Sequence, residues 1–355
     1  MKADSIRQKK LERRKEVFVQ IQVKPGQTIY IKQLPADLIV RTSKENIVKL
    51  VTTVDPEDND NRTNQEWFTE MKISLTSGNS GVLIQKIPST QTVTVQTTGI
   101  GKVTATTTAT GVVSVTTNDK INGPRGVYGL ATANKKTNSP IIIYIPATSK
   151  LDIENRYNNI RVENDLVFLN ADLSNTDLDL ESVDKAIIIN RYGSVKAKMI
   201  READINLTSC RFITDNMEKL VITSKYSTIK TGRAGVTDMN STSDQYVLGE
   251  VDALQAQKKF GKLTINELQQ SIVFAGASAD LKIQNINPAA TLIQVENKYA
   301  DVSLPVKLIP DFELNFKGQH SKVFTSFASV NADQYGEIII PKPIVKIEKS
   351  LNATL

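Results

Sequence analysis

The residue types that run most chemistry are scarce in this chain. One histidine, His320, sits in the polar stretch Lys317-Gly318-Gln319-His320-Ser321. A Ser–His–Asp arrangement needs that imidazole beside a nucleophile and an orienting acid; His320 lies past the last regular repeat, in what reads as a polar loop, so no such site is expected there. One cysteine, Cys210, excludes an intramolecular disulfide and any Cys-based zinc site. It reads as a structural, partly buried thiol. The best candidate for chemistry is the acidic run Asp172, Asp177, Asp179, Glu181 and Asp184. Carboxylates two apart on a strand share a face, so Asp177 and Asp179, with Asn175, could offer oxygen ligands to Ca²⁺. Leu178 and Leu180 already explain the alternation as apolar-in and charge-out, so these are weak candidates and no metal or other cofactor is expected. A glycosidase pair of carboxylates at a defined gap cannot be read from spacing alone. Gly99-Ile100-Gly101 and Gly232-Arg233-Ala234-Gly235 introduce no helix and lack a following Gly-Lys-Ser/Thr, so they are not nucleotide loops. Asn-x-Ser/Thr patterns at Asn61, Asn206, Asn240 and Asn352 carry little information.

The elements that would position such residues are strands. In the 355 residues, 40% are hydrophobic and 23% charged, the balance of a folded chain. No stretch reaches the roughly 18 apolar residues of a membrane-spanning helix. The net charge is +6, but residues 1–16 hold +4 of it and the other 339 residues only +2. That distribution speaks against nucleic acid, which wants a dense basic face on the folded part. It marks 1–16 as a basic leader. Val17 to Val23 alternates, Pro25-Gly26 marks a turn, and Thr28–Val40 and Ile47–Val54 are strand-like. Residues 55–65 form a polar break, Trp67–Ile73 begins a further alternating run, and Ser77–Gly81 reads as a hairpin loop. Residues 88–121 are Thr-, Val- and Gly-rich, suited to hairpins. Residues 122–140 read as a loop, and Ile141–Ile145 as a buried strand closed by Pro146.

From residue 151 a repeat organises the chain. Tyr157 has apolar Ile153 four before it and Ile160 and Val162 three and five after it. Tyr192, Tyr226, Phe260 and Tyr299 carry the same frame, at spacings of 35, 34, 34 and 39. Halfway between them, Asn175, Ser209, Ser243 and Ser278 repeat the frame without the ring. A spacing near 17 over nine units predicts an all-β parallel β-helix, or β-solenoid, in which each unit buries its apolar face on the next. Copies are also expected at Pro35 (with Ile31, Leu38 and Val40) and at Tyr335. If a coil is one unit, ring sits over Ser or Asn. If it is two, Tyr157, Tyr192, Tyr226, Phe260 and Tyr299 form one aromatic ladder as a column inside the stack. The two-unit coil is preferred, with stacking worth roughly 0.5–1.5 kcal/mol per pair. Glycine after the ring, in Tyr192-Gly193 and Phe260-Gly261, suits a left-handed corner.

These corners resemble those of the bacterial putative-adhesin β-solenoid family, the auto-transporter adhesin heads with Gly-x-Ile/Val turns. The matching stretches are Tyr157-Asn158-Asn159-Ile160, Tyr192-Gly193-Ser194-Val195, Phe260-Gly261-Lys262-Leu263 and Tyr335-Gly336-Glu337-Ile338. The likeness covers about 141–340 well and 17–54 loosely; the Thr-rich 88–121 departs from it. It implies an exported envelope or surface protein without catalytic residues, and so a leader trimmed before this N-terminus. The expected organisation is a leader (1–16), an N-terminal coil (17–54), a Thr-rich β insertion (55–140), solenoid repeats (141–306) and a C-terminal coil and cap (307–355). Phe312, Leu314, Phe316, Phe324 and Phe327 would cover the last open edge. The functional expectation is a non-enzymatic, adhesin-like scaffold binding a protein or glycan at the cell surface. The alternatives are a polysaccharide-binding or polysaccharide-cleaving β-helix, and a membrane-surface module docked by the basic leader.

Overall fold

In the computed structural model, residues 14–57, 60–87 and 139–305 are described in full, and 91–96, 102–107, 113–116, 312–318, 336–338 and 345–351 as backbone. His320, Phe324, Phe327, Tyr335, the Gly99–Gly101 stretch, the 122–138 loop and most of the leader lie outside the described residues.

The chain is a parallel β-solenoid. Leu178 pairs in register with Val195, Val195 with Phe212, and Phe212 with Ile229, each step being 17 residues. A coil is therefore one unit, not two. The alternation of ring with Ser or Asn misled the sequence reading because it belongs to the outer surface, while the backbone repeats with every unit. The step is 18 at the start, where Ile153 pairs with Ala171, and 21 at the end, where Ile272 pairs with Ile293.

One turn shows how the residues fold the chain. From Ser194 to Thr208 the inward side chains are Val195, Ala197, Ile200, Ala203, Ile205 and Leu207, followed by Cys210. A flat strand would bury every second residue. Here the step lengthens to three at 197–200, 200–203 and 207–210, so the chain bends three times per turn and closes around an apolar core. The same steps recur in the next coil through Phe212, Thr214, Met217, Leu220, Ile222 and Ser224. Backbone pairing survives the bends so well that one strand, Thr228–Ile286, runs for 59 residues. At ~3.3 Å per residue it would be ~195 Å long if straight; it winds instead through more than three coils.

The N-terminal end of the stack is built differently from expectation. The strand β1 (Lys15–Gln22) does not begin a coil; it lies antiparallel on β4 (Ile47–Val54). Parallel pairing starts with β2 (Thr28–Lys32) and β3 (Leu38–Ser43), which set Ile31 against Ile153, Leu38 against Ile160 and Val40 against Val162. β3 is flanked on its other side by β10 (Ile141–Pro146), and β2 by β6 (Gly81–Lys86), so part of the 55–140 segment supplies a rung. The strand expected from Trp67 is instead the helix α1 (Asn64–Glu70). Thr63 caps it: the Thr63 hydroxyl accepts from the Glu66 amide at 3.3 Å, and the Glu66 carboxylate accepts from the Thr63 amide at 2.7 Å. The helix packs on β1 and on β5 (Ile73–Gly78), burying Trp67 and Phe68 at the end of the stack. β7 (Gln91–Gln96), β8 (Lys102–Thr107) and β9 (Val113–Thr116) form a separate three-stranded antiparallel sheet. Near the C-terminus, Val345–Leu351 pairs in parallel with both Leu292–Lys298 and Phe312–Gly318.

Candidate functional site: a cationic aromatic edge

All nine reference residues lie on a single edge, at the bend between two straight stretches, and every one has a left-handed backbone. The φ values run from 51° at Asn175 to 67° at Tyr157. The ring residue itself takes the strained conformation, and after Tyr192 the glycine does not share it. Gly193 has an ordinary φ and is required for a different reason: a Cβ there would stand 2.1 Å from the Thr176 carbonyl oxygen of the coil below. Gly261 combines both constraints, with φ 85° and a Cβ position 2.2 Å from the Asp244 carbonyl oxygen.

The rings point outward. Tyr157, Tyr192, Tyr226, Phe260 and Tyr299 are 54–72% exposed, so they do not form a column within the core. They recur on every second rung, ~9.6 Å apart given ~4.8 Å between strands. Each ring follows a basic residue: Arg156, Arg191, Lys225, Lys259 or Lys298. In the intervening coils that place is held by Ser174, Thr208, Thr242 and Ala277, and the pairing sets these uncharged residues against the cations rung by rung. Alternation with a neutral rung keeps like charges two rungs apart, near the screening length of physiological salt.

Inside the same bend the packing is polar. Asn155, Asn190 and Asn297, each two residues before a ring, are fully buried. Asn190 Nδ2 donates to the Thr176 carbonyl at 3.1 Å, and Asn297 Nδ2 to the Ala279 carbonyl at 2.8 Å. These satisfy backbone groups that the bend removes from the ladder. In the Phe260 coil Lys258 takes that place, and its Nζ donates to the Asp244 carbonyl at 2.8 Å and to Ser241 Oγ at 2.9 Å. The Asp244 carboxylate accepts from Ser224 Oγ and Ser241 Oγ at 2.7 Å, from the Ser227 amide at 2.6 Å and from the Thr242 amide at 3.0 Å. Tyr246 OH lies 2.5 Å from Ser224 Oγ. Burial pushes the Lys258 ammonium down to about 8, against the charge of Asp244, and burial pushes the Tyr246 phenol up. A Ser, a Lys of lowered pKa and an Asp look like the parts of a nucleophilic site. All three are 3% exposed or less, no substrate reaches them, and their bonds are those of a corner support. Lys258 was not singled out from the sequence, although it falls in the inward frame two residues beyond buried Ala256.

The fold sets Cys210 apart from the acidic pair Asp177 and Asp179. Cys210 is buried in the inward column of the edge, and burial raises its thiol pKa. Asp177 Oδ1 accepts from the Ser194 amide at 2.9 Å and from Ser194 Oγ at 2.7 Å, while Asp179 stands 3.6 Å from Arg161 Nε. Both carboxylates line an open depression of about 560 Å³ with Asp37, Arg161 and Lys196. Asp179 faces a cation while Asp177 is held by Ser194 and Asp37 by the Asn159 amide, and among the described residues no three His, Cys, Asp or Glu side chains gather as a metal site would require. Nor is any helix among the described residues long and apolar enough to cross a membrane.

No family model matches the chain, and no curated protein matches it. Among solved structures the chain is similar to one described as a putative adhesin from Bacteroides fragilis NCTC 9343. That likeness is 11% identical, covers 77% of this chain and 95% of that one, and has a TM-score of 0.37. It is also similar to a structure described as a putative adhesin from Parabacteroides merdae ATCC 43184, at 10% identity, 77% and 95% coverage and a TM-score of 0.31. Nothing about chemistry transfers at these values, and the reading below rests on the edge itself.

Proposed function

We propose that this chain is a non-enzymatic β-solenoid scaffold of the cell envelope or surface, adhesin-like in role, that binds its partner along the aromatic edge. The observation that carries the reading is five bulky rings held at left-handed φ and left largely in solvent. A non-glycine residue in that conformation costs roughly 1–3 kcal/mol, and such residues cluster at ligand clamps. Serine and asparagine serve the same bend in the alternate coils, so folding alone does not call for rings. Exposed apolar groups in a line mark an interaction surface.

The test uses beads coated with the full chain, or with a variant carrying Tyr192→Asn, Tyr226→Asn and Phe260→Asn. Adherence is measured on epithelial and bacterial cell layers, and reducing-end release is measured on a polysaccharide panel. At least a tenfold loss of adherence in the variant, with no sugar release by either chain, supports the scaffold reading. Equal adherence overturns it. Sugar release abolished by changing Asp177 or Asp179 would establish the cleaving alternative, with the depression beside Arg161 as its site.

A further inference from the structure

The outward residues of this edge are uniform in charge over its middle three ring-bearing coils. From three residues before to four after each reference position, from residue 189 to residue 264, the outward side chains include seven cations and no acid. Arg191, Lys225 and Lys259 precede the rings. Lys196, Lys230 and Lys262 follow them, and Arg211 lies in the coil between the first two. All seven are exposed. Only Arg191 is held by an ion pair to a described residue, at 2.9 Å from Asp172; that pair is half in solvent and exchangeable. Acids flank this strip: Glu154, Asp172, Asp177 and Asp179 toward one end of the edge, Asp280, Glu296 and Asp301 toward the other, and exposed Asp204 and Asp238 five residues before Ser209 and Ser243 in the intervening coils.

The edge therefore repeats one chemical unit, an exposed ring between two cations, every second rung. Avoiding like charges in adjacent rungs explains why the cations immediately before the rings skip a coil. It does not explain why rings skip the same coils and not the opposite ones. A ligand with the same period does. The ~9.6 Å step is close to the length of two equatorially linked pyranose rings, after which a sugar chain presents the same face again. An aromatic ring takes the C–H face of a pyranose, and a flanking guanidinium or ammonium takes a carboxylate or sulfate. A nucleic acid fits worse: it carries a phosphate about every 3.4 Å of strand in the duplex, roughly three for each cation–ring unit.

We infer that the edge from Arg191 to Lys262 binds a linear anionic polysaccharide with a two-sugar repeat and one acidic group per repeat, one repeat seated on each ring. This rests on the scaffold reading above and names its partner by chemistry.

The experiment is fluorescence anisotropy of the full chain with end-labelled hyaluronan and chondroitin sulfate oligosaccharides from two to ten sugars. A neutral chito-oligosaccharide and single-stranded oligo-dT are run beside them. Binding should strengthen at least tenfold between two and six sugars, the length that spans Tyr192, Tyr226 and Phe260. It should weaken with salt and be absent for the neutral chain. Arg191→Ser, Lys225→Thr and Lys259→Thr together place on the ring coils what the intervening coils already hold, and should weaken binding at least tenfold. The triple ring variant should do the same. The length dependence needs no variant, so a folding defect cannot mask it. No binding to either acidic glycan, no dependence on length, or tighter binding of oligo-dT would overturn the inference. If adherence in the bead assay still requires the rings while both glycans fail, the scaffold stands and this partner falls. If adherence ignores the rings, the scaffold reading itself has failed.

Discussion

Replacing Tyr192, Tyr226 and Phe260 by asparagine tests the placement of the rings as directly as it tests binding. A full aromatic side chain buries about 150–250 Å². Tyr226 is 63% exposed, so little more than a third of that is removed from water. At about 25 cal/mol/Å² the loss is ~1–2 kcal/mol per ring. Against it stands the relief of a left-handed bulky residue, roughly 1–2 kcal/mol, since asparagine tolerates that conformation and already occupies it at Asn175. The two nearly cancel. Sites two rungs apart are far enough to add, so the triple variant should lie within ~3 kcal/mol of the parent chain. Rings packed in a core column would cost about 3–5 kcal/mol each on truncation, and the same variant would lose ~9–15 kcal/mol. Urea unfolding followed by circular dichroism separates these outcomes by midpoint alone, provided the slope is unchanged. A loss near the larger figure would refute the exposed edge and, with it, everything built on it.

Lys258 should make stability depend on pH in an unusual direction. Folded, it releases its proton near 8, and unfolded near 10.5. Between those values the unfolded chain holds more protons, so stability rises with pH, by up to ~3 kcal/mol. Below pH 8 both states are charged and the cost of burial is present in full. The parent chain should therefore gain stability relative to Lys258→Met from pH 8 to 10.5; parallel curves would contradict the burial. Gly193→Ala sets a methyl against the Thr176 carbonyl oxygen and should cost about 1–3 kcal/mol or more by overpacking, read as a lowered urea midpoint. The Cys210 thiol, buried and raised in pKa, should react with a disulfide reagent at pH 8 only after denaturant is added. Thr63→Ala removes the cap of the helix at the stack's end and should cost ~1 kcal/mol, seen as earlier hydrogen exchange around Trp67.

The repeat was legible because two signals coincide in it. Apolar residues mark the inward columns, and a left-handed corner admits few residue types comfortably, so both recur at 17. What a coil contains was not legible. Tyr157, Asn175 and Tyr192 occupy equivalent backbone positions, and nothing in their identities says that the ring is an outer ornament and not part of the period. The helix at Asn64–Glu70 was hidden by its shortness, seven residues giving barely two turns. Its capping pattern, Thr63 with Glu66, was present in the sequence. The buried support at Asp244 and Lys258 escaped because a lysine two residues before a corner looks the same whether its ammonium reaches water or a carbonyl. The basic strip escaped for a similar reason. A net charge of +2 over 339 residues conceals a segregation that only the winding of the chain brings to one edge.

Because the backbone repeats with one turn and the decoration with two, the molecule has two different lengths at which it can grow. Loss of a single turn, residues 208–224 for instance, would leave every backbone bond its counterpart and the stack closed. It would also bring Tyr226 onto Tyr192 and Lys225 onto Arg191, and shift everything beyond by half a beat. Pairs of turns, 34 residues, are the smallest change that keeps both rhythms, so a longer or shorter version of this chain is expected to differ from it by even numbers of coils.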